Sequence, residues 1–348
     1  MKLILHIGTP KTASTLIQNS LEANPKWLAR HRLAYGQVLA PDANHITLFY
    51  ACANRVHDFA RDYGLNSMDE LAAFRSTVAD CIRQHQKQLG RKAHTMILSS
   101  ENLTGNMQHP AEIARLKQFL SPHFDDIKIV VYVRRQDDAI LSMYGEHMRR
   151  GFNNDPFREF VDICMGPDSP TTYLYYRREL SRWVDVWGAE NIIVRRFSPV
   201  DFIDGNIIAD FLGIVLNTWE PDLNGFIPSK DNNRGLSAPA LEFLRRLHPH
   251  IAFIKDGQPN PQRSLLTPYI SQLPTRPRPV MAAGTARHIM RHFEPANTWL
   301  KNTFFADLKG PFFPDRPDHP DRGNLGHISP EDMIDLTGQL LSNLRLRD

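Results

Sequence analysis

The chain has 348 residues, of which 42% are hydrophobic and 23% charged, so it can bury a sizeable core. Its 41 lysines and arginines against 38 acidic residues give a net charge of only +3, which argues against nucleic acid or an anionic membrane surface as a partner. Three cysteines without CxxC spacing argue against a disulfide framework and a zinc cluster. No apolar run approaches the roughly 18 residues of a membrane span, and the first strand begins too early to leave room for a signal peptide. We therefore expect a cytoplasmic protein without membrane insertion.

The chain begins with a pattern typical of a strand, a tight loop and a helix. An apolar run over 3–7 ends at Gly8, and apolar residues recur at helical spacing from Leu16 onward. The loop between them carries Lys11 among small hydroxyl residues, so a cation, several hydroxyls and the N–H groups of a helix start meet at one point. Such a point binds phosphate or sulfate.

Strands and helices alternate through the first part of the chain. We predict strands at 94–100, 127–133 and 191–194. We predict helices at about 44–60, 67–89, 110–120, 136–149, 155–165, 173–187 and 199–212. This alternation implies right-handed βαβ units, and therefore an α/β three-layer sandwich with a mostly parallel central sheet, like that of P-loop NTPases.

The later part of the chain is less regular. Helices are predicted at 236–247, 283–305 and 329–345. The proline-rich stretch 256–280 shows no apolar periodicity and is predicted to be an extended or mobile connection. We therefore expect a core over 1–255 and a helical extension over 256–348 that packs on the core and is not an independent domain.

Three residues whose side chains could bind a ligand or take part in catalysis follow predicted strands. Ligands of parallel sheets bind beyond the carboxyl ends of the strands. Lys11, Glu101 and Arg134 stand just after three such ends, so we expect them to project toward one crevice. Taken one at a time, Lys11 could be a solvated loop lysine, and Arg134 could form an ion pair with Asp137 or Asp138.

The loop sequence PKTAST is not a Walker A motif, in which lysine directly follows the second of two glycines five positions apart. It resembles the 5′-phosphosulfate loop of sulfotransferases that use 3′-phosphoadenosine 5′-phosphosulfate (PAPS). The resemblance implies that the segment Pro10, Lys11, Thr12, Ala13, Ser14 and Thr15 binds the donor. Backbone amides of 11–15 with the three hydroxyls would hold its 5′ phosphate, and Lys11 would neutralise the bridging oxygen as the bond to sulfur breaks.

A second motif lies in YVRRQDDAILSMY, where Arg134 ends a strand and Ser142 lies eight residues later on the following helix. Both side chains can reach one phosphate, and the guanidinium fork suits that ligand. The arrangement is similar to the 3′-phosphate motif of the same family, although Gln136 replaces its usual proline and Ala139 a common arginine.

The acceptor needs a base, because an alcohol is a poor nucleophile until its proton is being removed. Glu101 resembles the glutamate of a segment found in carbohydrate sulfotransferases, although Asn102 replaces its lysine. His45 resembles a histidine that follows the first helix in bacterial members, and its intrinsic pKa suits a base. Each could instead be structural, Glu101 as a helix cap or ion-pair partner and His45 as a helix-start or core histidine. For His6 we expect a structural role within its strand.

A late basic loop, KDNNRGLS, looks like the segment with which this family covers the nucleotide. Lys230 and Arg234 could bind the 3′ phosphate or the adenine, or they could be merely solvated.

The resemblance as a whole implies an unanchored bacterial sulfotransferase of the carbohydrate type. Its donor would be PAPS, its acceptor a hydroxyl or amine of a carbohydrate or other small molecule, and no metal would be required. Two alternatives stay open: a nucleotide-dependent kinase, and a non-catalytic nucleotide-binding module of the same fold.

Overall fold

The computed structural model describes residues 1–36, 38, 43–167, 169, 171–230, 235–255, 258–316 and 319–345. The main sheet contains the strands β1 (Lys2–His6), β2 (Leu33–Tyr35), β3 (Thr95–Ser99), β4 (Asp126–Val133) and β5 (Ile192–Arg196). Their order is β2-β3-β1-β4-β5, and all neighbouring strands are parallel. The prediction of an α/β fold with a parallel central sheet is confirmed.

The helices of the described residues are α1 (Ser14–Glu22), α2 (Pro25–Arg30), α3 (Thr47–Cys52), α4 (Met68–Leu89), α5 (Asn102–Asn106), α6 (Pro110–Leu120), α7 (Gln136–Arg150), α8 (Phe157–Met165), α9 (Tyr176–Trp187), α10 (Ile207–Leu216), α11 (Ala238–Leu247), α12 (Pro261–Ile270), α13 (Ala283–Phe304) and α14 (Pro330–Arg345). A short antiparallel pair, β6 (Ile254–Lys255) and β7 (Gln258–Pro259), precedes α12. Within the described ranges, no helix has the length and apolar character that crossing a membrane requires.

Both faces of the sheet are buried. Successive side chains of each strand point to opposite faces, so each strand contributes to both. On one face, Ile4 and Tyr132 pack in a cluster with Ile17 of α1 and Phe211 of α10. On the other face, Leu3 and the residue two positions later in β1, Leu5, are fully buried. Near-continuous apolar strands are expected where helices lie on both faces of a parallel sheet.

The chain divides into two compact units. The first comprises 1–134, 172–230 and 296–312, and it contains the five-stranded sheet. The second comprises 135–171, 231–295 and 313–348, and it contains helices such as α7, α11 and α12. Both units take residues from either side of position 255, so the division into a 1–255 core and a 256–348 extension stays a prediction.

The prediction of an extended connection over 256–280 is wrong, because α12 lies within it. The side chain of Asn260 accepts a hydrogen bond from the N–H of Gln262 at 3.0 Å, which caps the helix, and Pro261 takes its first position. Leu266 and Ile270 are buried at helical spacing. The prolines that suggested an irregular segment include one that begins the helix.

Two smaller predictions also need correction. The helix expected from 199 begins at Ile207 as α10, because the Asn206 side chain caps that position by accepting from the N–H of Ile208 at 2.8 Å. The segment directly after β3, for which no helix was predicted, forms the short helix α5. The three-residue strand β2 was not predicted.

Candidate functional site

The loop between β1 and α1 has an unusual backbone. Lys11 and Ala13 both adopt left-handed conformations, with φ of 67° and 60°. Such conformations are costly for residues other than glycine and persist only where the surrounding structure holds them. Alternating left-handed residues turn successive backbone N–H groups toward one side, and that concavity binds anions.

Three hydroxyl groups hold this loop in place. Thr9 donates to the carbonyl oxygen of Tyr132 in β4, Thr12 donates to that of Thr9, and Thr104 of α5 donates to that of Gly8. Each of these hydrogen bonds measures 2.6 Å. The Thr12 hydroxyl therefore donates its proton within the loop. Thr12 would bind an anion through its backbone N–H.

The start of α1 is suited to hold an anion. The residue before it, Ala13, provides no side-chain cap, and the first N–H groups of a helix have no partners within the helix. The hydroxyl oxygen of Ser14 is buried and has no hydrogen-bond partner among the residues that the structure describes. Thr15, the next residue, is exposed. The helix start therefore presents backbone donors and a buried hydroxyl at one place.

Position 8 requires glycine because the backbone there lies very close to the start of α1. A Cβ atom at position 8 would overlap Ser14 Oγ and lie 3.2 Å from His6 Cε1. We expect Gly8→Ala to lower the free energy of unfolding by about 1–3 kcal/mol, as overpacking of a buried site does. Urea denaturation measures this loss.

Gly105→Ala in α5 is the matched control, because a Cβ there would have no atom within 4 Å. An unchanged or slightly raised free energy of unfolding is expected for it. Equal stability of the two variants would show that the Gly8 contact is not tight.

Arg134 contacts the loop directly. Its Nη1 donates to the carbonyl oxygen of Lys11 at 2.9 Å, and the guanidinium lies 5.4 Å from the ring centre of Phe197. The hydroxyl of Tyr176 donates to the carbonyl oxygen of Arg134 at 2.6 Å and accepts from its N–H at 3.0 Å. Burial raises the pKa of Tyr176, so the phenol keeps the proton that it donates. The position of Arg134 is therefore set by Tyr176, which the sequence did not single out.

The strand order places Glu101 beside this loop. Strand β3 is the parallel neighbour of β1, and the N–H of Ser100 donates to the carbonyl oxygen of His6 at 3.0 Å. Glu101 follows at the start of α5 and is half-buried. Lys11, Glu101 and Arg134 thus follow the carboxyl ends of three adjacent strands.

Ser142 lies in the second turn of α7, half-buried, in the second compact unit. Its pairing with Arg134 on one phosphate stays a prediction. The carboxylates proposed as alternative partners of Arg134 bind other arginines: Asp137 pairs with Arg135 at 2.9 Å, and Asp138 with Arg316 at 2.7 Å.

His45 is buried, and the backbone engages both of its ring nitrogens. Nδ1 accepts a hydrogen bond from the N–H of Ser99 at 2.9 Å, and Nε2 donates to the carbonyl oxygen of Gly36 at 2.7 Å. These bonds join the segment after β2 to the end of β3. They favour a structural role for His45 over that of a base.

We expect His45→Ala to lower the free energy of unfolding by about 3 kcal/mol, because two buried backbone groups would lose their partners. Activity per folded molecule should change little. Chemical denaturation and turnover of the same samples measure both quantities.

The exposed His288 of α13 offers a control, since His288→Ala should leave stability unchanged within about 0.5 kcal/mol. Normal stability of His45→Ala together with a hundredfold loss of turnover would make His45 the base after all.

The late basic loop is described only in part. Lys230 is exposed, and Arg234 lies outside the described residues. Across the described part of the chain, no group of three or more histidine, cysteine, aspartate or glutamate side chains could hold a metal ion.

His6, Gln18 and Ser99 form a buried polar group beneath the loop, of which the sequence singled out only His6. His6 is fully buried, and burial lowers its pKa to about 3. Polar residues within an apolar strand and on the inner face of α1 are the sequence signal that could have identified this group.

Comparisons with known proteins give partial similarities. No protein-family model matches the chain. An uncharacterized protein from Archaeoglobus fulgidus is 33% identical over 120 residues, which make up 34% of this chain and 29% of that protein. The match thus spans less than a third of the archaeal relative. A solved structure of a sulfotransferase from Alicyclobacillus acidocaldarius is similar with a TM-score of 0.40 and 16% identity, over 65% of this chain and 83% of that chain.

Proposed function

We propose that the protein transfers a sulfuryl group from PAPS to a hydroxyl or amine of a carbohydrate or other small acceptor. The observation that carries this proposal is the loop between β1 and α1. Its left-handed residues, which include Lys11, and the uncapped start of α1 follow the end of β1 at one edge of the sheet, and Arg134 binds the same loop. The resemblance of the loop and of the Arg134 motif to sulfotransferases selects PAPS among anionic ligands.

The residues at the loop fit the phosphosulfate end of such a donor. The Ser14 hydroxyl is buried with no partner among the described residues, and a bound phosphate oxygen would satisfy it. The backbone N–H groups of 11–15 would hold the 5′ phosphate, with Ser14 and Thr15 contributing hydroxyls. PAPS, when bound, supplies the activated sulfuryl group.

Lys11 and Arg134 have separate tasks in this proposal. The ammonium of Lys11 neutralises the charge that develops on the leaving oxygen. Arg134 holds the loop through the Lys11 carbonyl, and its remaining role in this proposal is to bind the 3′ phosphate. A guanidinium carries five N–H donors, and the bond to the loop uses one of them.

Glu101 is our preferred base. It lies beyond β3, directly beside the strand that leads into the loop, whereas the hydrogen bonds of His45 occupy both ring nitrogens. The Glu101 carboxylate would accept the proton of the acceptor hydroxyl as that oxygen attacks sulfur.

We expect Glu101→Gln to lower turnover at least about a hundredfold, as the loss of a general base does. Binding of adenosine 3′,5′-bisphosphate, the desulfated product, should stay unchanged. Transfer of ³⁵S from labelled PAPS measures the first quantity and calorimetry the second.

Glu22→Gln, on the exposed side of α1, is the matched control and should retain full turnover. Turnover of Glu101→Gln close to that of the unaltered protein would place the base elsewhere.

The proposal as a whole is tested with ³⁵S-labelled PAPS and fractionated carbohydrates of the source organism. A labelled acceptor species that appears only with the protein would support it. Tight binding of the bisphosphate without transfer to any fraction would indicate a non-catalytic binding module.

A further inference from the structure

A buried polar group lies beneath the candidate site. His6 and Ser99 are the last residues of β1 and β3 and are paired in register, and Gln18 lies above them on α1. Each of the three is at most 3% exposed. Polar groups so deeply buried need defined hydrogen bonds.

The hydrogen bonds of this group have a direction. Gln18 Nε2 carries only donors, so Ser99 Oγ accepts from it at 3.1 Å. The Ser99 hydroxyl carries one proton, and in the relay proposed below it donates this proton to His6 Nδ1, 2.8 Å away. A neutral imidazole that accepts at Nδ1 is protonated at Nε2. His6 stays neutral because burial lowers its pKa to about 3.

The last donor in this series of hydrogen bonds, His6 Nε2, faces the loop. His6 Nε2 and Ser14 Oγ are both buried and lack hydrogen-bond partners within the described part of the chain. Both border the space beside the α-carbon of Gly8, since a Cβ there would overlap Ser14 Oγ and lie 3.2 Å from His6 Cε1. A buried donor without a partner destabilises the folded protein, because its desolvation is not compensated. A link between the two groups removes this destabilisation for His6.

We propose that Gln18, Ser99, His6 and Ser14 form a hydrogen-bond relay whose last link, from His6 to Ser14, passes through one bound water. Ser14 Oγ accepts from the relay, so its own proton is directed outward to the anion in the loop. His6 is thus a positioning residue that acts through Ser14. The identity of the anion rests on the proposed function, whereas the relay itself does not.

A double-mutant cycle tests the relay, with the dissociation constant for adenosine 3′,5′-bisphosphate measured by calorimetry. We expect His6→Phe and Ser14→Ala each to weaken binding about tenfold, in the range of one hydrogen bond to a charged group. The double variant should bind no more weakly than Ser14→Ala alone, because His6 acts only through Ser14. Additive losses would overturn the proposal.

Tyr132→Phe is the control for a general effect on this face of the sheet. It removes a buried hydrogen bond to Asp210 beside His6 but no member of the relay. Its dissociation constant should equal that of the unaltered protein, and a tenfold loss in this variant would show that the cycle reports on core packing instead.

A spectroscopic measurement needs no variant and covers the case in which His6→Phe fails to fold. In protein labelled with ¹⁵N-histidine, the His6 resonances should report a neutral ring protonated at Nε2. The Nε2–H signal should shift when the bisphosphate or inorganic sulfate is added. A shift with sulfate but not with the bisphosphate would support the relay and refute the proposed donor. No shift with either anion, or protonation at Nδ1, would overturn the relay.

Discussion

Lys11→Ala is expected to lower sulfuryl transfer about a thousandfold, the upper range for losing one group that stabilises transition-state charge. Lys11 is the cation of a loop whose other donors are backbone N–H groups and hydroxyls. These groups remain in the variant, so binding of adenosine 3′,5′-bisphosphate should weaken far less than turnover falls. Single-turnover transfer of ³⁵S from PAPS and calorimetry measure the two effects.

The fold should survive this substitution for two reasons. The bond from Arg134 goes to the carbonyl oxygen of Lys11 and not to its side chain. Lysine and alanine also have similar difficulty in adopting the left-handed conformation, since both carry a Cβ. Lys26→Ala, on the exposed side of α2, is the control and should have full activity. Near-normal turnover by Lys11→Ala would remove Lys11 from the mechanism.

Arg134→Ala is expected to weaken binding of adenosine 3′,5′-bisphosphate about a hundredfold, because the variant loses the proposed charge-assisted contact to phosphate and the hydrogen bond to the loop. Arg134→Lys should recover only part of this affinity, since an ammonium cannot reproduce the planar fork that lies beside Phe197. Calorimetry on both variants measures the losses.

The assignment of Arg134 to the 3′ phosphate is tested by a second nucleotide, adenosine 5′-monophosphate, which lacks that group. Its affinity should fall much less in Arg134→Ala, so that the preference for the bisphosphate shrinks. Arg83→Ala, at an exposed position on α4, should leave both affinities unchanged. Equal losses for the two nucleotides would mean that Arg134 acts on the loop alone.

The sheet could be predicted because its central strands carry a strong local signal. The β-branched run within β4 is typical of a strand buried on both faces, and strands alternating with helices favour parallel pairing. Strand β2 has only three residues and is defined by its pairing with β3, which no local pattern reveals. Helix α12 was not predicted because its prolines suggested an irregular segment. The cap residue Asn260 and a stripe of apolar residues at helical spacing were nevertheless present in the sequence.

The placement of three candidate site residues was predictable because it depends on strand ends. Lys11, Glu101 and Arg134 follow adjacent parallel strands, and the alternation of elements was sufficient to bring them to one edge. The left-handed backbone of the loop and the hydrogen bond from Tyr176 to Arg134 depend on contacts between residues that lie far apart in the sequence. The same holds for His45, whose residue type suits a base but whose partners are backbone groups of two different segments.

The most direct test is a calorimetric comparison of adenosine 3′,5′-bisphosphate with ATP and Mg²⁺ on the unaltered protein. We predict that the bisphosphate binds at least about tenfold more tightly, a difference of about 1.4 kcal/mol in binding free energy. ATP with Mg²⁺ binding as tightly as the bisphosphate, or more tightly, would contradict the assignment of the loop to a 3′-phosphorylated sulfuryl donor.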